Sequence, residues 1–512
     1  MRILMVAAEN DAIAGMKVGG VADVIRDIPQ ALAKLEQTLD VIVPDYGLII
    51  DREPHQWVAN IQVSFKGQSE HVGLYKLTKQ NGETNVQQWL VKHDLFAIGG
   101  KGQVYCNDPD NRPFASDATK FALFSAAVTE ALHQQALPRP DYIHLHDWHS
   151  ACVAVLMKSA PCYHDIAQIP RVFTVHNIAL QGIRPFKDDD SAFETWFPHL
   201  SYNGEVICDP RYPHCFNPMR AAINLCDKVH VVSPSYAQEV IQPSQPELGF
   251  FGGEGIEADL QHAQARGRLS GILNGCEYGV QYNSDTSLDD FYLVAEKEIL
   301  RWAGQNSVLQ SAHYLASQRL LGWQNTPSEG PLVTSVGRLT DQKMLLMRAG
   351  GLQKTLDVLK SKDARLIILG SGDQTLEQEL TKVMAINDNF LFLNGFALGL
   401  SNQIYSLGDL FLMPSSFEPC GISQMLAMRA GQPCLVHAVG GLKDTVLDME
   451  NGFAFTGESL KLQLNALLAS LEQALNIYSD HPEQWHAIAE KAKQTRFTWQ
   501  DSAKKYLTQL YI

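Results

Sequence analysis

The chain has 512 residues, of which 45% are hydrophobic, and its 41 basic and 56 acidic side chains give a formal net charge of −15. Because a single hydrophobic core stops growing beyond roughly 250–300 residues, this length predicts two domains or more. The acidic balance argues against a protein that binds nucleic acids or membrane surfaces, since polyanions are repelled, but it allows a small anionic substrate held by a few local cations.

The first half of the chain begins with a βαβ pattern. Residues 3–8 form a continuous apolar run, which is typical of a parallel strand buried on both faces. A loop that contains Gly19 and Gly20 follows, apolar residues recur at helical spacing over 21–35, and a second strand is predicted at 39–43. Further short apolar runs predict strands at 142–145, 172–175 and 229–232.

A second series of strands and helices occupies the other half of the chain. Helical patterns at 344–359 and 422–430 lie among strands predicted at 332–336, 366–369, 390–393, 410–413 and 434–436. This alternation predicts the α/β class, with doubly wound parallel sheets in two similar domains. We expect the domain boundary near 269–271, and the segments 185–220 and 280–330 show no clear pattern.

The nine cysteines predict reduced thiols. Their number is odd and no Cys-x-x-Cys pair occurs, so neither a disulfide scaffold nor a zinc knuckle is indicated. The apolar run at 3–8 ends at Glu9, too early for the core of a signal peptide, and no uncharged apolar stretch is long enough to span a bilayer. We therefore expect a soluble cytoplasmic protein.

Polar side chains follow the predicted strands, at the edge where open α/β sheets bind ligands. After the first strand, Lys17 and the pair Gly19-Gly20 stand just before a helix, where free N–H groups and a positive charge suit a phosphate. The segment matches neither a dinucleotide-binding nor a P-loop pattern, and an ordinary tight turn explains it equally well. Two later strands lead to the polar segments 146–149 and 176–177.

In the second half, Arg338 and Lys343 follow one predicted strand and Glu418 follows another. An Arg fork and a Lys point charge can bind one anion, although a solvated helix start is the alternative. Glu418 precedes a helix near Gly421, so its carboxylate could accept sugar hydroxyls or simply cap that helix. If the polar edges of the two sheets face each other, they form a deep cleft, which is a usual place for a ligand.

Two segments look superficially like metal sites. His144, His146, Asp147 and His149 are residue types that bind zinc, but a strand residue and its loop neighbours rarely converge on one ion, so a hydrogen-bonding cluster is favoured. The run 188–190 matches the Asp-x-Asp of metal-dependent sugar transferases. No strand precedes it, so a solvated loop or a helix cap is the better interpretation. We expect no metal.

Seven motifs stand in order along the chain: KVGGVADV at 17–24, HDWH at 146–149, FTVHN at 173–177, GILNG at 271–275, RLTDQK at 338–343, FEPCG at 417–421 and GGLKDT at 440–445. The series resembles the bacterial glycogen synthases and plant starch synthases over nearly the whole chain. The resemblance implies the GT-B fold, in which two Rossmann-like, doubly wound domains face each other across a deep cleft. It implies an N-terminal, acceptor-side domain at 1–270, completed by a crossing helix at 497–512, and a nucleotide-sugar domain at 271–496.

The resemblance also implies the reaction. Similar enzymes transfer glucose from ADP-glucose to the non-reducing end of an α-1,4-glucan with retention of configuration, and they need no metal or other cofactor. The implied partners of this chain are therefore a nucleoside-diphosphate glucose and a neutral glucan such as glycogen. We find no obvious second carboxylate suited to act as a covalent nucleophile. Our hypothesis is a same-face displacement in which the leaving phosphate takes the acceptor proton.

By the matching motifs, the residues implied to be catalytic are His176, Arg338, Lys343 and Glu418. The residues implied to bind substrate are Lys17, Gly19, Gly20, Asp23, Asp147, Trp148, Asn177, Asn274, Phe396, Cys420 and Gly421. Among them, Lys17 and Gly20 would contact the donor, and Asp147 and Trp148 would lie where the acceptor enters.

Within this set, the resemblance gives the charged residues distinct roles. Arg338 and Lys343 would neutralise the diphosphate, because its negative charge grows as the glycosyl–phosphate bond breaks. His176 and Asn274 would hold the transferred glucose, and Glu418 would bind its hydroxyls. Closure of the site would exclude water, which otherwise hydrolyses the donor.

Three positions depart from the usual family pattern. Met344 stands where a Gly is usual, Gly337 replaces a usual Ser, and Phe396 stands where an aromatic residue, often Tyr, stacks on the base. Phe can still stack but lacks the hydroxyl. These changes concern the donor pocket, so the fold is more strongly predicted than the base preference.

Two alternatives stay open at this point. One is another retaining GT-B enzyme with a UDP-glucose donor or a small-sugar acceptor, and the other is a weakly active paralogue that binds glycan. The motifs at 17–23 and 146–149 favour the polymer enzymes, and the retained charged residues argue against the paralogue. The sequence does not determine the oligomeric state.

Overall fold

The computed structural model describes residues 1–78, 82–279, 287–305 and 309–512, and the chain folds as two units. The first unit contains Met1–Ser244, Gly252–Gly275 and Trp499–Ile512, and the second contains Gln245–Phe251 and Cys276–Thr498. Each unit has its own sheet with helices packed against it. Within the described ranges, no helix is long and apolar enough to cross a membrane.

The first unit is built on a nine-stranded sheet. Its strands, together with a separate two-stranded ribbon, are β1 (Arg2–Val6), β2 (Thr38–Asp45), β3 (His55–Phe65), β4 (Gln68–Leu77), β5 (Val86–Lys92), β6 (Tyr142–His146), β7 (Arg171–Val175), β8 (Arg184–Pro185), β9 (Cys215–Phe216), β10 (Lys228–Val231) and β11 (Leu269–Gly271). The order across the sheet is β11-β10-β7-β6-β1-β2-β5-β4-β3, and β8 pairs with β9. Strands β11 through β5 in that order run parallel, whereas β4 is antiparallel to both β5 and β3.

Helices cover this sheet, and the residues of its central strands are almost all buried on both faces. In β1, Ile3, Leu4, Met5 and Val6 are each at most 1% exposed, as the continuous apolar run predicts for a strand buried on both sides. The helices that follow in this unit are α1 (Gly20–Ala33), α2 (Ile49–Arg52), α3 (Ala115–His133), α4 (Cys152–Ser159), α5 (Phe193–Trp196), α6 (Gly204–Ile207), α7 (Pro218–Leu225), α8 (Pro234–Glu239) and α9 (Glu257–Ala265).

The hairpin of β3 and β4 is absent from the sequence-based prediction. Its buried residues alternate with exposed ones, as at Ile61, Val63 and Phe65, so it lacks the continuous apolar run that marks the central strands. The signal that could have identified it is the turn. Lys66 and Gly67 both have positive φ, 51° and 69°, as a two-residue type I′ hairpin turn requires.

The second unit is built on a six-stranded, fully parallel sheet. Its strands are β12 (Leu332–Val336), β13 (Arg365–Gly370), β14 (Phe390–Asn394), β15 (Leu410–Met413), β16 (Cys434–His437) and β17 (Gly452–Phe455), in the order β14-β13-β12-β15-β16-β17. Its helices are α10 (Leu288–Gly304), α11 (Ser311–Asn325), α12 (Asp341–Met344), α13 (Gly351–Lys360), α14 (Gln374–Ile386), α15 (Leu398–Leu407), α16 (Ser423–Ala430), α17 (Gly440–Thr445), α18 (Leu460–Asp480) and α19 (Pro482–Gln494).

All the strands predicted from apolar runs are confirmed, but one helix prediction is wrong. The pattern at 344–359 predicts a single helix, whereas α12 ends at Met344 and α13 begins at Gly351. Ala349 and Gly350 between them have φ of 49° and 89°, a left-handed conformation that a helix interior does not contain. The segment 185–220, which shows no clear pattern in the sequence, contains short elements. The segment 280–330 contains α10 and α11, and residues 280–286 and 306–308 lie outside the described residues.

Both parallel sheets contain a point where the strand order reverses. In the first sheet the reversal lies between β1 and β6, and in the second it lies between β12 and β15. Ligands of open α/β sheets bind outside the carboxyl ends of the strands at such a switch point. The loops that leave β1, β6, β12 and β15 carry most of the polar motifs singled out in the sequence.

The last helix, α20 (Trp499–Gln509), belongs to the first unit, where it packs on α1. A series of buried hydrogen bonds holds Tyr511, which follows this helix, against the sheet. His230 Nε2 lies 3.2 Å from the carbonyl oxygen of Ile272, which can only accept, so Nε2 carries the proton of this imidazole. Thr174 Oγ1 therefore donates to His230 Nδ1 at 2.9 Å and accepts from His144 Nε2 at 2.6 Å. His144 Nδ1 is then left to accept from the Tyr511 hydroxyl at 2.6 Å.

We expect Tyr511→Phe to destabilise the first unit by about 1–3 kcal/mol, because it leaves the buried Nδ1 of His144 without its donor. Urea unfolding at pH 7.5 measures the change. Tyr142→Phe is the matched control: that ring also contacts Tyr511, but its hydroxyl has no hydrogen bond to any described residue. Equal stabilities of the two variants would contradict the role of the Tyr511 hydroxyl.

The buried imidazoles also make stability depend on pH. Burial lowers the pKa of His230 from its usual 6.5 to about 4 and also lowers the pKa of His144, so between pH 6.5 and pH 4 the unfolded chain takes up protons that the folded protein does not. Their contribution to stability is therefore complete above pH 6.5 and is lost as pH falls toward 4. Burial raises the pKa of Asp147 to about 7, so this group makes the protein less stable as pH rises over the same range. The test therefore compares the parent protein with a variant that lacks one buried imidazole but keeps Asp147.

His230→Gln keeps an N–H donor for the Ile272 carbonyl and removes one titration. We expect its free energy of unfolding to rise less between pH 4 and pH 6.5 than that of the parent protein, because one fewer buried imidazole titrates. Urea unfolding at several pH values measures both slopes. A parent slope no steeper than that of His230→Gln would show that this imidazole does not titrate on unfolding.

Candidate functional site

The loop between β1 and α1 is held by a buried carboxylate. Glu9 is 3% exposed, and its Oε2 accepts the backbone N–H groups of Val18 at 2.9 Å and Gly19 at 2.6 Å. Its Oε1 accepts the hydroxyl of Tyr105 at 2.6 Å, and burial together with Glu9 raises the pKa of that phenol. Of the N–H groups that the sequence suggested for a phosphate, that of Gly19 is thus engaged, together with that of its neighbour Val18.

Lys17 is part of a balanced ionic network at the start of α1. Its Nζ lies 2.6 Å from Asp23 Oδ1 and 3.3 Å from Asp11 Oδ2, and Arg26 contacts the same two carboxylates. Burial opposes protonation of Lys17, but these carboxylates raise its pKa overall. Burial raises the pKa of Asp23 against the pull of the two cations. Gly20 begins α1 beside open space, since a Cβ there would meet nothing within 4 Å.

Asp147 follows β6 in a strained conformation. Its φ of +54° is rare for a residue other than glycine, and such strain is tolerated where the surrounding structure enforces it. Its Oδ1 accepts the backbone N–H of His176 at 2.7 Å, and the backbone of Asn177 also donates to this carboxylate. Burial nevertheless raises the pKa of Asp147 to about 7. The carboxylate therefore ties the loop after β6 to the loop after β7.

His176 is a neutral imidazole at the end of β7. It is 8% exposed, and burial together with His230 lowers its pKa to about 3. Its Nε2 lies 3.0 Å from Nδ1 of His146. Asn177 is half-buried and accepts the backbone N–H of Ala179 at 3.0 Å. Asn274, which follows β11, is 5% exposed, and its Oδ1 has no hydrogen-bond partner among the residues the structure describes.

Trp148 is a buried packing residue. It is 5% exposed, and its ring contacts Phe114, Phe121 and His149. Gly182, whose φ is +69°, presses against the indole, since a Cβ there would lie 2.2 Å from the ring. The indole thus packs inside the first unit beside the loop after β6, and its place at the acceptor entrance stays a prediction.

The two motifs that look like metal sites serve other contacts. His144 and His146 take part in hydrogen bonds with protein groups, and Asp147 accepts the backbone N–H of His176. Asp189 accepts from Arg112 and caps the backbone N–H of Ser191, as expected of a loop or cap. Across the described ranges, no group of three or more His, Cys, Asp or Glu side chains is arranged to hold a metal ion.

In the second unit, a recess opens at the switch point between β12 and β15. Arg338, Lys343, Met344, Met413 and Ser415 are among the residues that line it. The Arg338 side chain is exposed and has no hydrogen bond to any residue that the structure describes. Lys343 extends from α12, and its Nζ donates to Glu418 Oε2 at 2.7 Å. Two cations therefore reach one recess, and one of them is already paired with a carboxylate.

Glu418 is positioned by several hydrogen bonds of its own loop. It is 7% exposed, its Oε2 accepts from Ser415 Oγ at 3.1 Å, and its carbonyl accepts the backbone N–H of Gly441 at 3.0 Å. Gln342 joins this loop to α12, because its carbonyl accepts Ser416 N–H at 2.7 Å and its side chain donates to the Phe417 carbonyl at 3.0 Å. These bonds fix the spacing between Lys343 and Glu418.

The segment after Glu418 turns sharply into α16. Gly421 has φ of +76°, and the Gln424 side chain donates to the carbonyls of both Cys420 and Gly421. Gly441 packs against this turn so closely that a Cβ there would lie 2.1 Å from the Cys420 carbonyl oxygen. The sequence expected the helix near Gly421, and it begins two residues later at Ser423.

The departures from the family pattern have structural counterparts. Phe396 is 63% exposed on the loop after β14, so its ring is available for stacking. Met344 is 6% exposed and lines the recess. A Cβ at Gly337 would lie 3.3 Å from Cδ of Lys343, so the larger residue usual in the family would crowd the lysine stem.

Sequence reasoning missed Glu9, Tyr105, Ser415 and Gln342 as residues of the site. Glu9 follows the first buried strand directly, and the rule that selected the other strand ends would also have selected it. Tyr105 lies far from any predicted strand end, and no local pattern indicates that it reaches Glu9.

Comparison with known proteins identifies the family. Residues 2–262 match the starch synthase catalytic domain family, and residues 321–495 match the glycosyl transferases group 1 family. A glycogen synthase of Streptococcus equi subsp. equi is 34% identical, covering 99% of this chain and 98% of the relative. Glycogen synthases of Streptococcus mutans and Photobacterium profundum are 32% and 30% identical over 99% of this chain and 98% and 94% of their own.

Solved structures agree with these relatives. The catalytic domain of starch synthase IV from Arabidopsis thaliana, bound to ADP and acarbose, has a TM-score of 0.74 at 25% identity and covers 99% of this chain and 98% of its own. A sucrose-phosphate synthase from Thermosynechococcus elongatus, at a TM-score of 0.55 and 16% identity, shares the fold alone. The chain therefore belongs to the glycogen and starch synthase family of retaining GT-B glycosyltransferases.

Proposed function

We propose that this chain is a glycogen synthase that transfers glucose from ADP-glucose to the non-reducing end of an α-1,4-glucan with retention. The observation that carries the proposal is the recess at the β12–β15 switch point, where Arg338 is unpaired among the described residues and Lys343 is hydrogen-bonded to Glu418. This combination suits a sugar diphosphate, since cations attract its phosphates and a carboxylate accepts sugar hydroxyls. The full-length similarity to glycogen synthases supports the same assignment.

In this proposal the cations act on the leaving group. Breaking the glycosyl–phosphate bond leaves negative charge on the diphosphate, and Arg338 and Lys343 would stabilise that charge with little reorganisation. The guanidinium can bind two phosphate oxygens as a fork, and the ammonium acts as a point charge. The Lys343–Glu418 bond keeps the lysine stem in one orientation before the donor arrives.

We assign the transferred sugar to polar groups of the first unit. His176 is neutral and can donate a hydrogen bond to a sugar hydroxyl, and the unpaired Oδ1 of Asn274 can accept one. Asp147 already accepts backbone N–H groups, so we assign it to the shape of the loop that meets the acceptor. The mechanism we propose is a same-face displacement in which a leaving-phosphate oxygen takes the proton of the acceptor hydroxyl.

We further propose that the donor is ADP-glucose, that no metal is required and that the enzyme works in the cytoplasm. The related starch synthase structure that contains ADP supports the adenine base. The exposed Phe396 supports stacking of a base but does not distinguish adenine from uracil, since either presents a π-face. The nine cysteines, none of which forms a disulfide, support a reducing compartment.

Incubation with glycogen and labelled donor tests the reaction. We expect incorporation of glucose from ADP-glucose well above that from UDP-glucose, with glycogen rather than fructose or glucose as acceptor, and without a requirement for added divalent metal when EDTA is present. Proton NMR of the first product formed on a maltooligosaccharide should show a new α-linkage. A β-linked product, or glycan binding without any transfer, would refute the proposal.

Removal of either cation tests the role of the recess. Arg338→Ala and Lys343→Ala should each lose roughly 2–4 kcal/mol of transition-state stabilisation, which is about 30-fold to 1,000-fold in kcat/KM, by analogy with the loss of one oxyanion donor. Initial rates across donor concentrations measure the loss. Lys360→Ala, which removes an exposed cation of the same unit, is the control and should keep the parent rate. Near-parental kcat/KM in both recess variants would contradict the assigned role.

A further inference from the structure

A single hydrogen bond joins two imidazoles at the ends of neighbouring strands. His146 ends β6 and His176 follows β7, and the Nδ1 atom of His146 lies 3.0 Å from the Nε2 atom of His176. Burial and the surrounding imidazoles lower the pKa of both groups, so each ring is neutral at physiological pH. A neutral imidazole has one N–H, so this hydrogen bond permits two arrangements of the protons.

The two arrangements differ in what they leave buried. The Nε2 atom of His146 has no solvent access and no hydrogen-bond partner among the described residues. If His176 were the donor, the proton of His146 would sit on this Nε2 as an orphaned N–H. If His146 is the donor, Nε2 keeps a bare lone pair instead. Orphaned buried N–H groups are the rarer defect in folded proteins, which favours His146 as the donor.

Which of the two rings donates also determines whether Nδ1 of His176 carries a proton. When its Nε2 accepts, the single proton of His176 must reside on Nδ1. That atom has no hydrogen bond to any described residue, yet it is absent from the fully buried, unpaired atoms of the structure, so it retains solvent access. His176 then offers an N–H donor on its accessible side, whereas the opposite arrangement would offer a lone pair.

We propose that His146 is a positioning residue that fixes His176 in the Nδ1–H tautomer, so that His176 donates a hydrogen bond to an oxygen of the donor sugar or its phosphate. This inference rests on the proposed function in one respect, namely that His176 contacts the donor. His146 itself touches no substrate in this scheme and acts through the orientation and the tautomer of its neighbour.

The His146 ring is itself held in place by a locked ring. It stacks on His144 with centroids 4.3 Å apart and planes 19° from parallel. Both nitrogens of His144 are engaged, one by the Tyr511 hydroxyl and the other by Thr174. A ring flip of His146 would exchange its Nδ1 for a carbon and break the bond to His176. The stack and the bond together therefore hold one orientation.

The tautomer can be read directly by NMR of protein labelled with ¹⁵N-histidine. In the parent protein we expect the Nδ1 of His176 to show a protonated-nitrogen shift and its Nε2 a bare-nitrogen shift, unchanged from pH 6 to pH 8. The signals of His176 are assigned as those that vanish in His176→Gln. A bare Nδ1 in the parent protein would overturn the proposal without reference to any variant.

Two substitutions of His146 separate donation from packing. His146→Asn places an amide N–H where Nδ1 stood, and we expect it to keep the His176 tautomer and kcat/KM within about threefold of the parent. His146→Phe keeps a ring for the stack but removes the donor. We expect mixed tautomers of His176 and a fall of about fivefold to tenfold in kcat/KM, the scale of one neutral hydrogen bond. A pure Nδ1–H tautomer in His146→Phe would overturn the proposal.

Thr174→Val is the matched control, because Thr174 is buried like His146 and valine preserves the shape of its side chain. It removes the hydroxyl that bonds His144 and His230, whereas the Tyr511 bond that also holds His144 and the His146–His176 bond do not involve this hydroxyl. We expect a lower melting temperature with the His176 tautomer and kcat/KM kept within twofold of the parent. If Thr174→Val altered the tautomer as much as His146→Phe, the effect would be structural and the proposal would fail.

The proposed function and this inference fail in different ways. The tautomer is measured without turnover, so absence of glucosyl transfer from any nucleotide sugar refutes the proposed function whatever the NMR result. A parent protein that is active but has a bare Nδ1 on His176 refutes the positioning role of His146 and leaves the proposed function standing.

Discussion

Burial of both faces of the parallel sheets is the constraint on which the candidate site depends. A strand covered on both sides has no water to satisfy polar side chains along its length, and an unpaired buried polar group is costly. The interior polar residues His144, Thr174 and His230 accordingly bond to one another and to Tyr511. Chemistry therefore concentrates at the carboxyl ends of the strands, where the chain leaves the sheet.

The switch points decide which of those ends matter. Adjacent loops diverge where the strand order reverses, and the space between them is open to a ligand. In the second unit this space is the recess beside Arg338 and Lys343. In the first unit the corresponding loops carry Glu9 and Asp147, which both use their carboxylates to hold backbone N–H groups. The same topology thus yields a recess that suits an anion in one unit and a hydrogen-bonded scaffold in the other.

Local charge balance reconciles an acidic protein with an anionic substrate. The net charge of −15 is spread over the whole chain, whereas a ligand feels mainly the charges within about a Debye length. Lys17 is compensated by Asp11 and Asp23, and Lys343 by Glu418. Arg338 has no such partner among the described residues, so it carries the positive field of the recess. Glu418 thus compensates the charge of Lys343 and also holds its side chain in one orientation.

The sequence by itself determined the central strands, the two sheets and the strand ends that carry polar motifs. It could do so because strands buried on both faces are near-continuous apolar runs and because polar side chains cluster where such a run stops. This reasoning did not predict the half-exposed hairpin of β3 and β4, which lacks a continuous apolar run. It also predicted one helix at 344–359, where a left-handed turn at Ala349 and Gly350 separates two helices. Periodicity reports which face is apolar and carries no information on a local change of φ.

Only the tertiary structure decided how the site residues are paired. The bonds of Glu9 to Tyr105, of Lys343 to Glu418 and of His146 to His176 join residues 96, 75 and 30 positions apart. No local pattern encodes such a contact, because it depends on which strands become neighbours and on how far each loop reaches. The protonation state of a buried imidazole depends in turn on those partners. The sequence thus identifies candidate site residues, whereas their hydrogen-bond partners and protonation states depend on the packed fold.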